Sequence, residues 1–334
     1  MRSFRDLAPR LRRWPGALAL GLGLVLPLAG CSADSSRPDA APPASGASGT
    51  GDTATAAPEV PGRLRVDGHT RRYLLHRPAA DGRRPLLIAF HGRGEGAADL
   101  REKSRLQRAA QERGMLVAFP EGLDRGWGAG AKATEQRPDP GRDVRFTEAL
   151  IKHLVGTEHA DPRRVYVAGF SNGGSMALRM AAERPGLLAG AASVSGQLAA
   201  GDGAVKPTGP VPVLVVYGAD DPVRPLAGLP SPPPNPEEPI LPSLSARDTA
   251  EAFADAGGAG DPVTRERKGY DETVWRPKDG PGGPDADTVR LLVVHDAGHT
   301  WPGTTVPPPE GFGPVSKDLD ATGTILDFFT ASDR

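Results

Sequence analysis

The sequence predicts a mostly parallel α/β sheet flanked by helices and entered through an antiparallel hairpin. Three observations carry this. Short apolar runs rich in β-branched residues recur along the chain, as strands buried on both faces require. Stretches with helical spacing lie between them, so strand and helix alternate. Near the start, two β-rich runs flank Asp67-Gly68, a pair suited to a tight reversal.

In chain order, the hairpin spans 63–66 and 73–76. Strands are expected at 86–90, 115–119, 165–169, 191–195, 213–217 and 291–294, each four to six residues and nearly continuous in apolar character. Leu100, Leu106, Ala109 and Ala110 share one helical face. Val144, Ile151, Leu154 and Val155 share another. Met176, Leu178, Met180 and Ala181 mark a helix after Ser171, and Ala321, Ile325, Phe328 and Phe329 a C-terminal one. No internal repeat is evident. Residues 225–242 hold 8 prolines in 18 positions, too many for a helix or strand interior, and are expected to form a surface insertion or lid. Residues 276–287 form a second loop of this kind.

The 334 residues carry 40 Lys+Arg against 41 Asp+Glu, a net charge of −1. There is no basic surplus with which to displace counterions from a nucleic acid, so no nucleic-acid partner is expected. The single cysteine excludes an intramolecular disulfide and any CxxC site.

That cysteine sits at an informative place. Five arginines precede an uncharged stretch at 17–29, whose 13 residues fall short of the roughly 20 that cross a bilayer. A basic segment followed by a short apolar one is an export signal. It ends Leu28-Ala29-Gly30-Cys31, which resembles the lipobox of bacterial lipoproteins. That resemblance implies cleavage before Cys31 and a lipid on its sulfur, hence a protein exported and either membrane-anchored or secreted. Residues 32–61 are mostly Ala, Ser, Gly, Pro, Thr and Asp, with little to bury, and are expected to form a flexible tether. The expected organisation is a signal at 1–30, a tether at 31–61 and a catalytic domain at 62–334.

The chemistry begins at Gly169-Phe170-Ser171-Asn172-Gly173, preceded by a strand and followed by a helix. This is the context a nucleophile elbow needs: a sharp turn that lifts the serine above the sheet, with small neighbours to permit it. The Asn172 N–H would then face a developing oxyanion. A base and an acid are expected downstream. Asp220 and Asp221 follow the strand at 213–217, and His295 and His299 follow the strand at 291–294. His299 lies in a loop able to reach the serine, whereas His295 lies at the strand end. The His295-x-x-x-His299 spacing does not make a zinc site, because Gly298 and Pro302 break any helix between and after them. No metal and no cofactor is expected.

The strand at 86–90 ends in His91-Gly92-Arg93-Gly94. The Arg93 N–H is the candidate second oxyanion donor, and His91 is read as structural. Gly92-Arg-Gly94-Glu-Gly-Ala97 also matches a dinucleotide fingerprint, with Glu121 ending the next strand. That oxidoreductase alternative leaves the elbow and the His299 loop unexplained. A non-catalytic binding lipoprotein is a third class, against which the complete Ser/Asp/His set argues.

Ser171-Asn172-Gly173-Gly174, the Gly218 to Val223 loop and Gly298-His299-Thr300-Trp301-Pro302-Gly303 together resemble the secreted polyhydroxybutyrate depolymerase and feruloyl esterase-like group of α/β hydrolases. The resemblance runs from about Arg72 to about Phe329. It implies an α/β-hydrolase fold and a serine esterase acting on feruloyl, acetyl or hydroxyalkanoate esters, with a serine peptidase of the same fold as the alternative. It selects Asp221 over Asp220 and His299 over His295. It places Trp127 and Trp301 at the active-site mouth, where they could stack on an aromatic acyl group. The chain departs from the group in lacking its disulfide cysteines and in the length of the Pro-rich segment. The expected partners are an ester substrate and, through the lipid, a membrane, with the protein itself a monomer.

Overall fold

Alternate residues of the central strands serve two different cores. Leu86, Ile88 and Phe90 pack into one apolar cluster, and Leu87 and Ala89 into another. A strand presents successive side chains to opposite faces, so apolar residues at every position demand a cover on both. In the computed structural model, which describes residues 60–79, 82–232, 240–278 and 288–331, helices supply both covers. The export signal, Cys31 and nearly all of the tether lie outside the described residues, as do 233–239 of the Pro-rich segment and 279–287 of the second loop.

The strands are β1 (Val60–Val66), β2 (His69–His76), β3 (Arg84–Phe90), β4 (Leu116–Pro120), β5 (Ala160–Phe170), β6 (Gly190–Val194), β7 (Val213–Gly218), β8 (Val263–Arg267), β9 (Tyr270–Trp275) and β10 (Val289–Val294). They form a single sheet in the order β1-β2-β4-β3-β5-β6-β7-β10-β9-β8. The six strands from β4 to β10 along this order pair in parallel. The β1–β2 hairpin reverses at Asp67-Gly68 and joins β4 antiparallel. The mostly parallel sheet and its antiparallel entry are as the sequence predicts.

The helices are α1 (Ala97–Ser104), α2 (Leu106–Gln111), α3 (Arg142–Thr157), α4 (Asn172–Glu183), α5 (Ala246–Ala256) and α6 (Ala321–Ala331). Residues of α3, α4 and α5 enter the first core, and those of α1, α2 and α6 the second. Among the described residues no helix is long and apolar enough to cross a membrane.

Three elements differ from the sequence reading. The first predicted helix is two, broken at Arg105, whose φ of 53° is left-handed. The break frees the Ser104 carbonyl to accept from the Thr322 hydroxyl of α6, and Leu106 then drives into the core. The β8–β9 hairpin leaves no mark in the apolar pattern. All five residues of β8 are exposed, so this edge strand has no buried face to print an alternation. Helix α5 lies outside the predicted elements, although Ser245 caps it by accepting from the Asp248 N–H at 2.9 Å, a legible start signal.

Two glycines make opposite demands. A Cβ on Gly173 would lie 2.1 Å from the Phe90 carbonyl oxygen, so Gly173→Ala must displace backbone. Gly156 is an exposed residue in the last turn of α3 with nothing near its Cβ position. Gly173→Ala is expected to destabilise by about 2–3 kcal/mol or more. Gly156→Ala should stabilise by about 0.5 kcal/mol. Urea unfolding of the two variants beside the parent checks both signs.

Candidate active site

The C-terminal ends of β5, β7 and β10 each deliver one polar residue to the same edge of the sheet, where parallel α/β sheets bind ligands. Ser171 follows β5 directly. Its φ of 54° and ψ of −119° belong to a sharp turn that a side-chain-bearing residue rarely adopts. The turn is closed by the Ser171 N–H donating to the Val194 carbonyl at 2.8 Å and by the Ser171 carbonyl accepting from Ser175 at 3.0 Å. Gly169 must be glycine here, since its Cβ would lie 2.2 Å from the Gly173 carbonyl oxygen.

His299 lies five residues beyond β10. Its Nε2 is 2.7 Å from the Ser171 Oγ, and its Nδ1 is 2.7 Å from Asp221 Oδ2. The other oxygen of Asp221 accepts from the Val223 N–H at 2.9 Å and the Arg224 N–H at 2.7 Å. Asp221 and His299 are both buried, and the imidazole lies between Phe170 and Phe312, with ring centroids 5.1 and 5.3 Å away. Asp220 is exposed, and its backbone N–H bonds the Ala297 carbonyl. His295 faces Asp271 at 3.3 Å on the β9 side. The fold therefore brings Ser171, His299 and Asp221 into one chain of hydrogen bonds and leaves Asp220 and His295 outside it.

Asn172 is the first residue of α4, where a backbone N–H has no partner within the helix. Its side chain is committed elsewhere: Oδ1 accepts from the Trp127 N–H at 2.7 Å, and Nδ2 donates to the Trp127 carbonyl at 3.1 Å. Arg93 lies on the opposite wall, between Gly92 and Gly94, whose N–H groups bond Glu95 Oε2 and the Arg125 carbonyl. His91 accepts from the Gly122 N–H at Nε2, 2.9 Å away, and holds the Gly92 carbonyl through Nδ1 at 2.7 Å. That places its proton on Nδ1. Burial pushes its pKa below the ordinary histidine value, only partly offset by the Gly92 carbonyl and Glu121. A neutral, doubly bonded His91 is a loop brace.

The glycine-rich stretch of this loop does not offer an empty anion site. Carboxylates already cap its amides: Glu121 accepts from Ala97, Asp99 from Gly96 and Glu95 from Gly92. A pyrophosphate would meet negative charge where the dinucleotide fingerprint needs bare N–H groups.

The two tryptophans part company. Trp127 forms part of the wall of a cavity of about 600 Å³ that opens above Ser171. It is nevertheless 1% exposed, with its indole N–H on the His91 carbonyl at 2.9 Å and Phe90 packed edge-on at 5.0 Å. The expectation that Trp301 stands beside it at the mouth is corrected. Trp301 is buried in the other core, against α6, and its indole N–H donates to Thr322 Oγ1 at 3.0 Å. It anchors the histidine loop to the C-terminal helix.

The described ends of the Pro-rich segment roof the cavity through Pro225, Leu229, Ile240, Leu241 and Pro242. They are joined by a two-way backbone pair between Leu229 and Ser243. Gln197, which the sequence did not single out, ties them to the sheet. It donates to the Pro225 carbonyl at 2.9 Å and accepts from the Ser243 hydroxyl at 2.9 Å.

The chain is similar to known proteins. Residues 68–254 match the sequence model of a family described as "Putative esterase". "Putative esterase NocK" of Nocardia uniformis subsp. tsuyamanensis is 42% identical over 297 residues, 83% of either chain. The chain belongs to this esterase family. The esterase is also similar to "Feruloyl esterase B" of Piromyces equi, at 33% identity over 144 residues, 41% of this chain and 26% of that one. Among solved structures, "Acetyl xylan esterase from Aspergillus awamori" superposes with a TM-score of 0.51 at 15% identity, over 79% of this chain and 99% of the other, a likeness of fold alone. The protein is accordingly a carboxylic ester hydrolase.

The esterase holds its Trp127 loop with buried charge. Arg71 on β2 and Asp143 on α3 are 2% and 3% exposed and pair at 2.9 Å. Asp143 also accepts from the Gly128 N–H at 2.8 Å and lies 3.6 Å from Arg137. Arg179 of α4 donates to the carbonyls of Gly128, Gly130 and Pro140 at 2.6–2.7 Å. Burial lowers the pKa of Arg71, and Asp143 opposes that shift. Its guanidinium stacks over Phe146 at 3.9 Å. Asp143→Ala strands the Arg71 charge and is expected to cost about 3–5 kcal/mol. The double variant Arg71→Met/Asp143→Leu, which removes both charges, should cost less, as chemical denaturation of the single and double variants would establish.

Proposed function

We propose that this protein is a serine esterase that works through Ser171, His299 and Asp221 and an acyl-enzyme. The observation that carries the reading is the pair of 2.7 Å hydrogen bonds linking Ser171 Oγ, His299 and Asp221 beneath a cavity. Ser171 Oγ attacks the ester carbonyl carbon while His299 Nε2 takes its proton. The carbonyl oxygen becomes an oxyanion held by the Asn172 and Arg93 N–H groups, at the positive end of α4. His299 returns the proton to the leaving alcohol, and Ser171 stays acylated. Water repeats the sequence, giving its proton to His299 and releasing the acid. Asp221 holds the imidazole with Nδ1–H toward itself and stabilises the imidazolium; it stays ionised, fixed by the N–H groups of Val223 and Arg224.

The proposed substrates are small esters of the feruloyl, acetyl or hydroxyalkanoate type. The mainly apolar cavity and the name of the feruloyl esterase relative support this class. The proposed setting is extracytoplasmic, with the domain tethered by a lipid on Cys31, a reading that rests on the leader and lipobox of the sequence.

Ser171→Ala is expected to lower turnover of p-nitrophenyl butyrate by about 10⁴-fold or more. A fluorophosphonate adduct should map to the peptide containing Ser171. Asp221→Asn should be impaired by about 10⁴-fold, and Asp220→Asn should keep most activity. Full turnover in Ser171→Ala would overturn the mechanism, and a reversed pair of aspartates would move the acid by one residue. Cys31→Ser in the full chain should abolish incorporation of labelled lipid and leave ester kinetics unchanged. Labelled lipid on that variant would overturn the anchor.

A further inference from the structure

We infer that Arg224 is a specificity residue that binds a carboxylate on the substrate, so that the preferred esters are anionic. The inference rests on the serine esterase reading and names the substrate class of that site. Arg224 lines the cavity over Ser171. Its backbone is fixed from two sides: its N–H donates to Asp221 Oδ1 at 2.7 Å, and its carbonyl accepts from the Tyr217 hydroxyl at 2.9 Å. The side chain therefore starts from the acid of the triad, three hydrogen bonds from the nucleophile.

Its guanidinium is what sets it apart. Arg224 Nε is hidden from solvent and has no hydrogen-bond partner, and the group has no ion pair among the described residues. The other cations of the wall are engaged: Lys132 pairs with Asp202 at 3.0 Å, Arg137 donates to the Leu123 carbonyl at 3.2 Å, and Arg93 has a partner as well. Among the described residues, the acidic one of the wall, Glu95, is held by Lys103. A half-buried arginine with an unmet donor, on the wall of a mainly apolar cavity, calls for an acceptor of opposite charge. A carboxylate meets that need with two parallel N–H···O bonds. One guanidinium matches the single charge of a carboxylate better than the double charge of a phosphate.

The test uses pairs of esters that differ only in that charge. Mono-4-nitrophenyl glutarate against its methyl ester places the carboxylate on the acyl side. 4-Carboxyphenyl butyrate against its methyl ester places it on the alcohol side. In one of the pairs the parent enzyme should favour the anionic member by about tenfold or more in kcat/KM, expressed mainly in KM, with the preference falling in high salt. Arg224→Gln should bring the ratio to about one and Arg224→Lys should keep part of it. The backbone N–H on Asp221 survives in both variants, so the neutral esters should be turned over much as before. The same pairs are titrated into Ser171→Ala while following the thermal midpoint, which reads binding without turnover and separates this inference from the mechanism. Equal treatment of both members of both pairs by the parent, or an anionic preference that persists in Arg224→Gln, would overturn the carboxylate site. If Arg224→Gln does not fold, the parent ratios, their salt dependence and Arg224→Lys decide the matter.

Discussion

The turn at Ser171 exists because backbone closes on it from several directions with no room for side chains. Gly169 faces the Gly173 carbonyl, Gly173 faces the carbonyls of Phe90 and His91, and Gly174 faces the Ser193 hydroxyl. A residue held at this φ and ψ costs of order 1–3 kcal/mol, and only an over-determined surrounding keeps it there. The surrounding is the parallel sheet itself: β3 on one side, β6 on the other, and α4 packed down onto both. Once β5 must end this way, α4 has to start at Asn172, with its N-terminal amides beside Ser171. The same contact brings the β3 loop, with Gly92 and Arg93, into the cavity wall that Ser171 also lines.

A second constraint acts through charge. The loop 126–130 has little regular structure, yet it forms a wall of the cavity. Its backbone N–H and C=O groups are buried and need partners. Asn172, Asp143 and Arg179 supply them, and each stands on a helix of the same layer. The charges this brings inside are matched, Arg71 against Asp143 and Arg179 against Glu183 at 2.7 Å. An apolar replacement could pack as well or better, as is common for buried ion pairs. It could not hydrogen-bond an irregular loop, which is the work these side chains do.

This division explains what the sequence could and could not disclose. The six parallel strands were legible because burial on both faces leaves an unbroken apolar run. The hairpin at Asp67-Gly68 was legible because the turn needs special residues. Ser171, Asp221 and His299 carried local signals of position after a strand, and the resemblance to a family separated the paired candidates. Arg71 and Gln197 carried none, since their meaning lies in partners 72 and 28 residues away that only the fold brings near. The break at Arg105 was hidden for the same reason: the acceptor it releases bonds 218 residues downstream. Trp301 misled because its segment is distinctive, and its distinctiveness reflects anchoring to α6.

The loop after β7 joins the carboxylate that holds His299 to the wall of the cavity in four residues. Asp221 must present one oxygen to His299 and have the other satisfied, because an unpaired carboxylate oxygen at this depth is costly. The N–H groups of Val223 and Arg224 meet that need by wrapping the chain around the carboxylate, an Asx-type turn that Pro222 favours. The wrap has a geometric consequence. Whatever residue stands at position 224 emerges beside the cavity at a place set by Asp221, and the Pro-rich roof begins at the next residue. Tyr217, whose hydroxyl is kept protonated by burial, holds the Arg224 carbonyl and fixes the exit direction of the chain. A change of side chain at 224 can therefore alter what the cavity accepts while the backbone contacts that orient His299 stay in place.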